Sequence, residues 1–324
     1  MIPDLHIAHL LEQTTLQPLR QLGFWLGSVR LLQGQTHYVH PGHALDMRIR
    51  RAKWRVRSMV YGVYIGELHQ AMRHPVLQDI LHKHPRLYEK VYRPYLICGL
   101  APKARTRLVC DHYRLALGRL SEPALRAIYL QHGLEVSSLN AGGDTYTVRL
   151  RYADQFEKEG ELTLELLDPQ GVRVYCASFS LIQLHDGSLG AVIGCLQGPH
   201  LLAGDAQALI KQMTKALHGL RPKALMITLV QMLCGALGVR RLFGVRNAGH
   251  AYHCLLNKRR RVKMDYDATW DEMGGQMSTH LAEIPVHPHH RRPDEIKSHK
   301  RSQYARRYAL MDALQAQIDS RFAA

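Results

Sequence analysis

The stretch that decides the fold reads GAVIGCLQGPH at residues 190–200, TKALHGLRPK at 214–223, ALMITLVQMLCGALG at 224–238 and RRLFGVRNAGHAY at 240–252. Its first seven residues are a short apolar run, the pattern of a buried strand. Residues 205–218 set Leu209, Ile210, Met213, Ala216 and Leu217 at the 3.6-residue period of a helix. Gly219 stops that helix, and Pro222 stands where a first helical turn accepts proline. Residues 224–237 are apolar nearly all round, which predicts a buried helix. Gly238 ends it, and 240–245 read as the next strand. A helix wedged between two core strands, with Arg221-Pro-Lys223 at its positive end, is where α/β proteins hold phosphate.

Upstream, the runs 134–139, 145–152, 161–167, 172–182 and 189–196 are rich in β-branched and aromatic residues and alternate apolar with polar. Asn140-Ala-Gly-Gly-Asp144, Asp168-Pro-Gln-Gly171 and His185-Asp-Gly-Ser188 are hairpin turns between them. An antiparallel meander therefore feeds the strand–helix–helix–strand unit. The fold class this predicts is α/β (α+β), an antiparallel-rich mixed sheet flanked by helices after a helical N-terminal region. Helical spacing covers 19–32 and 54–72, while 105–120 is ambiguous between strand and helix, with helix favoured after Asp111. The expected division is a mainly helical region over 1–110 and an α/β domain over 111–324. The latter closes on a basic helix with Tyr304, Tyr308, Met311, Leu314, Ile318 and Phe322 on one face.

The 324 residues carry 43 Lys+Arg against 27 Asp+Glu, a formal charge of +16, with 21 His in addition. Such a surface favours polyanions: nucleic acid, anionic lipid, phosphorylated cofactors or anionic substrates. Arg48, Arg50, Arg51, Lys53, Arg55 and Arg57 cluster around Trp54, either as a solvated helix face or as a contact with an anionic surface. A second basic cluster spans 291–307, where positive charge at a helix start opposes the helix dipole. Six cysteines lie far apart without C-x-x-C and read as reduced core thiols of a cytoplasmic protein. The N-terminus lacks the pattern of a signal peptide, and the longest apolar segment falls short of the ~20 residues that span a bilayer. Any membrane contact is therefore expected to be peripheral.

G-x-G-x-x-G, G-x-x-x-x-G-K-[ST], H-E-x-x-H and G-x-S-x-G are all missing. His287, His289 and His290 read as a solvated loop, with metal binding as the alternative. Asp265 and Asp267 suit a helix N-cap, or a salt-bridged hinge with Arg259 to Lys263. The densest polar cluster beside apolar elements is 214–223. Lys215, His218, Gly219, Arg221 and Lys223 could cradle a pyrophosphate at the next helix start, or merely decorate a helix–turn–helix. Asn247 reads as an N-cap. His250, Tyr252 and His253 are candidate proton donors or acceptors just past a core strand.

Five ordered blocks resemble the VirK/YbjX family: Glu159-Gly-Glu-Leu-Thr-Leu, Leu196-Gln-Gly198, residues 214–223, Asp265-Tyr-Asp-Ala-Thr-Trp270 and Lys300-Arg-Ser-Gln-Tyr-Ala-Arg-Arg-Tyr308. That family is bacterial and associated with virulence and the cell envelope. More distantly, strand 189–196, helix 222–237, strand 240–246 and Asn247 to Tyr252 resemble the core of the GNAT superfamily of N-acyltransferases. In that fold the meander leads to a strand splayed from its neighbour, the acyl-CoA pantetheine lies in the gap, and the pyrophosphate meets the next helix's N-terminus. Here a helix is inserted over 205–218, and Gly219-Leu-Arg-Pro-Lys stands where the superfamily has R/Q-x-x-G-x-G/A.

The resemblance implies an acyltransferase that moves an acyl group from a CoA or carrier thioester to an amine or hydroxyl of a peptide or envelope acceptor. It would use His250 or His253 as base and Tyr252 as acid. Gln197, Gly198, Lys215, His218, Gly219, Arg221, Lys223 and Asn247 would hold the donor. The alternative is a non-enzymatic envelope-associated protein that binds anionic lipid or a partner through its basic clusters. Nucleic acid ranks third, because the basic residues lack a recognisable domain or stacking aromatics. The expected location is cytoplasmic, with peripheral contact at the inner membrane.

Overall fold

The computed structural model describes residues 18–40, 45–199, 203–254, 262 and 264–323. The meander is formed by β1 (Leu134–Ala141), β2 (Asp144–Arg151), β3 (Leu162–Leu167), β4 (Arg173–Gln183) and β5 (Leu189–Gln197), each antiparallel to the next. β6 (Arg241–Val245) pairs parallel with β5, and β7 (Gln276–Met277) and β8 (Leu281–Ile284) complete the sheet. The strand order is β1-β2-β3-β4-β5-β6-β8-β7, and β5–β6 is the single parallel pairing among the described strands. Consecutive residues of β3, β4 and β5 are buried almost throughout, so both faces of the sheet centre are covered.

Helices precede the sheet: α1 (Pro18–Gly34), α2 (Thr36–Val39), α3 (Leu45–Val60), α4 (Gly62–Ala71), α5 (Pro75–Lys83), α6 (Pro102–Arg119) and α7 (Glu122–Leu125). The ambiguous 105–120 segment is helical throughout. α6 starts on a proline in its first turn and buries Leu108, Val109, His112, Tyr113 and Ala116 on one side. The helix expected over 54–72 is two helices, because the backbone leaves helical geometry at Tyr61. After β5 come α8 (Ala203–Ala216) and α9 (Pro222–Ala236), then α10 (Tyr266–Glu272) and α11 (Arg301–Phe322). α9 is buried nearly all round, as its composition requires. α11 sinks Met311, Leu314 and Ile318 into the core against β1 and α9, as the spacing predicts.

A buried polar network joins the N-terminal helices to the sheet. Lys90 Nζ lies 2.5 Å from Glu161 Oε1, and Tyr113 donates to Glu161 Oε2 at 2.9 Å. Burial pushes the Glu161 carboxyl up, but Lys90, His112 and Tyr113 outweigh it and hold it below the ordinary value. Next to it, His112 Nδ1 accepts from Leu181 N (3.0 Å) and Nε2 meets the Tyr129 hydroxyl at 2.7 Å. Burial drags the His112 imidazole down to about 4 from 6.5.

Between those two pH values the unfolded chain binds a proton at His112 that the folded chain refuses. Stability is therefore lost as pH falls from about 6.5 to about 4, by roughly 3 kcal/mol from this group. Denaturant unfolding across that window should show a shallower pH slope in His112→Asn than in the wild type. Equal slopes would exclude His112 as the group responsible.

Candidate functional site

The site grows from one irregularity in β5. Ser178 pairs with Cys195 and Phe179 pairs with Ile193, which leaves Gly194 as an extra, bulged residue. The parallel ladder with β6 ends at the same level, at Ile193↔Gly244. Beyond the bulge β5 runs on to Gln197 without β6 beside it, and the two strand ends part. Gly194 is required there because the chain crosses over it: a Cβ would lie 1.8 Å from the Glu159 carbonyl oxygen. The bulge that splays β5 thus also seats Glu159 beside the gap.

Tyr266, the first residue of α10, projects into the opening, and its hydroxyl accepts the Leu196 N–H at 3.2 Å. Asp265 caps α10 by accepting from Ala268 N (3.1 Å). Asp267 pairs with Arg246 at 2.9 Å, so the hinge partner is on the β6 side, while Arg259 to Arg261 and Lys263 lie outside the described residues. Asn247 caps no helix of its own. Its side-chain carbonyl accepts from Tyr266 N and its amide donates to Asp265, both at 2.9 Å, so it fixes where α10 begins.

A cavity of about 650 Å³ opens at the parted strands. Its walls include Phe156, Tyr175, Leu196, Ile210 and Met264, and its polar groups include Glu159, Arg173, Gln197, His250 and Tyr252. His250 is 2 % exposed and lies between the rings of Tyr252 (5.6 Å) and Tyr266 (5.2 Å). Its Nδ1 accepts from Tyr252 N at 3.3 Å, which assigns the ring proton to Nε2. Nε2 faces Glu159 Oε1 at 3.5 Å and has no hydrogen bond of good geometry among the described residues. Burial pushes the phenols of Tyr266 and Tyr175 upward, so both stay protonated.

Of the expected residues, Gln197, Gly198, His250 and Tyr252 meet at this cavity. His253 is exposed and does not line it. Lys215, His218, Gly219, Arg221 and Lys223 lie at the α8–α9 junction. A return between parallel strands places the start of α9 at the end of the sheet where β5 finishes, the same end as the cavity. α11 covers that junction: Arg307 donates to the His218 carbonyl at 3.0 Å. Lys223 is engaged by Glu272 (3.0 Å) and Thr269 (3.3 Å), whereas Lys215 and Arg221 are exposed. His290 stacks on Tyr308 at 4.2 Å, and no cluster suited to a metal occurs among the described residues.

Two of the six cysteines are not reduced thiols. Cys98 and Cys254 form a disulfide across a Cα–Cα distance of 5.5 Å. The pairing follows from Ile97 bridging His250 and Cys98 N donating to Gly249 O at 2.8 Å, contacts that bring together two cysteines 156 residues apart. This strap presses the 95–99 segment against the backbone of His250. Cys176, Cys195 and Cys234 are buried free thiols, as expected, and Cys110 is partly buried.

A family model described as "Protein of unknown function (DUF535)" matches residues 44–320. The chain is 28 % identical over 317 residues to "Uncharacterized protein YbjX" of Escherichia coli (strain K12), covering 96 % of this chain and 94 % of that one. It is 29 % identical over 250 residues to an "Uncharacterized protein" of Haemophilus influenzae, covering 77 % and 80 %. It is 27 % identical over 199 residues to "Membrane protein LapB" of Mannheimia haemolytica, covering 60 % and 82 %. Among the described residues no helix is long and apolar enough to cross a membrane.

Proposed function

The chain belongs to the DUF535 family, and from its site we propose that it is a GNAT-like acyltransferase. It takes an acyl group from a CoA or carrier thioester and gives it to an amine or hydroxyl of a peptide or cell-envelope acceptor. The observation that carries this reading is the β5–β6 pair, parted by the Gly194 bulge around a cavity that holds a buried carboxylate and imidazole. A thioester arm laid in the gap would meet the Tyr266 hydroxyl, which accepts the Leu196 N–H and can turn its own proton to polarise the thioester carbonyl. The apolar walls suit the acyl chain.

The proton inventory supports the following roles. With Nδ1 occupied by a backbone N–H and Nε2 protonated, His250 offers no free acceptor, so Glu159 is the base and the His250 ring faces it at 3.5 Å. The acceptor nucleophile gives its proton to Glu159 and attacks the thioester carbonyl carbon. The new C–N or C–O bond forms, the C–S bond breaks, and the thiolate takes a proton from the Tyr252 hydroxyl. His253 has no part, being outside the cavity. Lys215 and Arg221, exposed near the start of α9, are the cations left for the donor's phosphates.

Release of free thiol from acyl-CoA in the presence of an amine tests the reading. Tyr252→Phe keeps the ring over His250 and removes the proton donor. Thiol release should fall by about 10²–10⁴-fold, with acyl-CoA affinity unchanged. Equal turnover would transfer the acid role to Tyr266.

A further inference from the structure

We infer that α3 is a membrane-surface helix whose exposed apolar stripe inserts among anionic lipid headgroups. Trp54, around which the basic residues cluster in the sequence, is buried, with its indole N–H on the Leu32 carbonyl at 3.0 Å. With Trp54, Arg51 and Ser58 turned inward, the opposite side of the helix faces solvent. That side carries Leu45, Ile49, Ala52, Val56, Met59 and Val60, spaced by three and four residues, which is one continuous stripe on a helix. Leu45 is 71 %, Val56 61 % and Val60 67 % exposed, so no described element covers it.

The flanks identify the occupant. At 100° per residue, Arg48 and Arg55 border the stripe on one edge, and Lys53 and Arg50 on the other; all four are exposed. The one acid on the helix, Asp46, is 3.9 Å from Arg50. An apolar stripe between two basic edges matches a bilayer interface, where acyl tails take the apolar side chains and anionic headgroups take the cations. A second copy docked on the same face would set these cations against their own kind, which disfavours a symmetric dimer. The inference is independent of the acyl-transfer reading, since α3 contributes nothing to the cavity at β5 and β6.

Co-sedimentation of the full chain with phosphatidylcholine vesicles, with and without phosphatidylglycerol, tests it. The wild type should bind the anionic vesicles and bind them more weakly at high salt. Ile49→Asp combined with Val56→Asp alters two exposed side chains and should leave melting unchanged while the partition coefficient drops by about tenfold or more. Arg48→Glu with Arg55→Glu should cost at least as much on anionic vesicles, and little on neutral ones. The inference fails if the wild type ignores anionic vesicles. It fails equally if the aspartate variant binds like the wild type, or if that variant instead changes the oligomeric state in solution, which would make the stripe a protein interface.

Discussion

Glu159→Gln should lower thioester turnover by about 10²–10⁴-fold. The substitution keeps the shape of a buried side chain and removes its capacity to take a proton. His250→Gln should reduce turnover less, because on this account the imidazole packs beside the carboxylate rather than accepting the proton. If Glu159→Gln turns over normally while His250→Gln is dead, the imidazole is the base and the assigned tautomer is wrong.

The second large effect belongs to Gly194→Ala. One methyl placed 1.8 Å from the Glu159 carbonyl cannot be absorbed by a side-chain rotation, since the obstacle is backbone. Either the 157–161 segment or the bulge must move. The expected cost is roughly 1–3 kcal/mol of stability, as for other overpacked cores. Because the displaced segment carries Glu159, turnover should fall further than the stability loss explains. Gly190→Ala is the milder comparison: its nearest neighbours are side-chain atoms of Leu184 and Ile182 rather than backbone. If Gly194→Ala melts and reacts like the wild type, the bulge does not seat the carboxylate.

The contrast between these two glycines shows how far sequence reading reaches. The five strands and their turns are local patterns, and alternation plus Asn-Ala-Gly-Gly-Asp or His-Asp-Gly-Ser locates them without any partner. The run GAVIGCL, however, displays Gly190 and Gly194 alike. Only the register against β4 makes one of them a bulge, and register is a non-local property. Glu159 enters the sequence reading only as the first residue of the block Glu159-Gly-Glu-Leu-Thr-Leu, and its burial depends on the chain crossing β5. Tyr266 was legible as a neighbour of an N-cap but not as the group that fills the strand gap. Cys98 and Cys254 gave no spacing signal, because two chain segments far apart bring them together. His250 and Tyr252 were accessible from sequence, since both follow closely on a core strand.

The central claim is that the parted ends of β5 and β6 receive an acyl thioester, and thermal melting of the full chain with acyl-CoA tests it most directly. A ligand present at 100 times its dissociation constant stabilises by about 2.7 kcal/mol. The account predicts a rise in melting temperature with acyl-CoA, a smaller rise with free CoA, and loss of the difference in Gly194→Ala. No rise with any acyl-CoA or acyl-carrier thioester would contradict it, as would a rise that Gly194→Ala leaves intact.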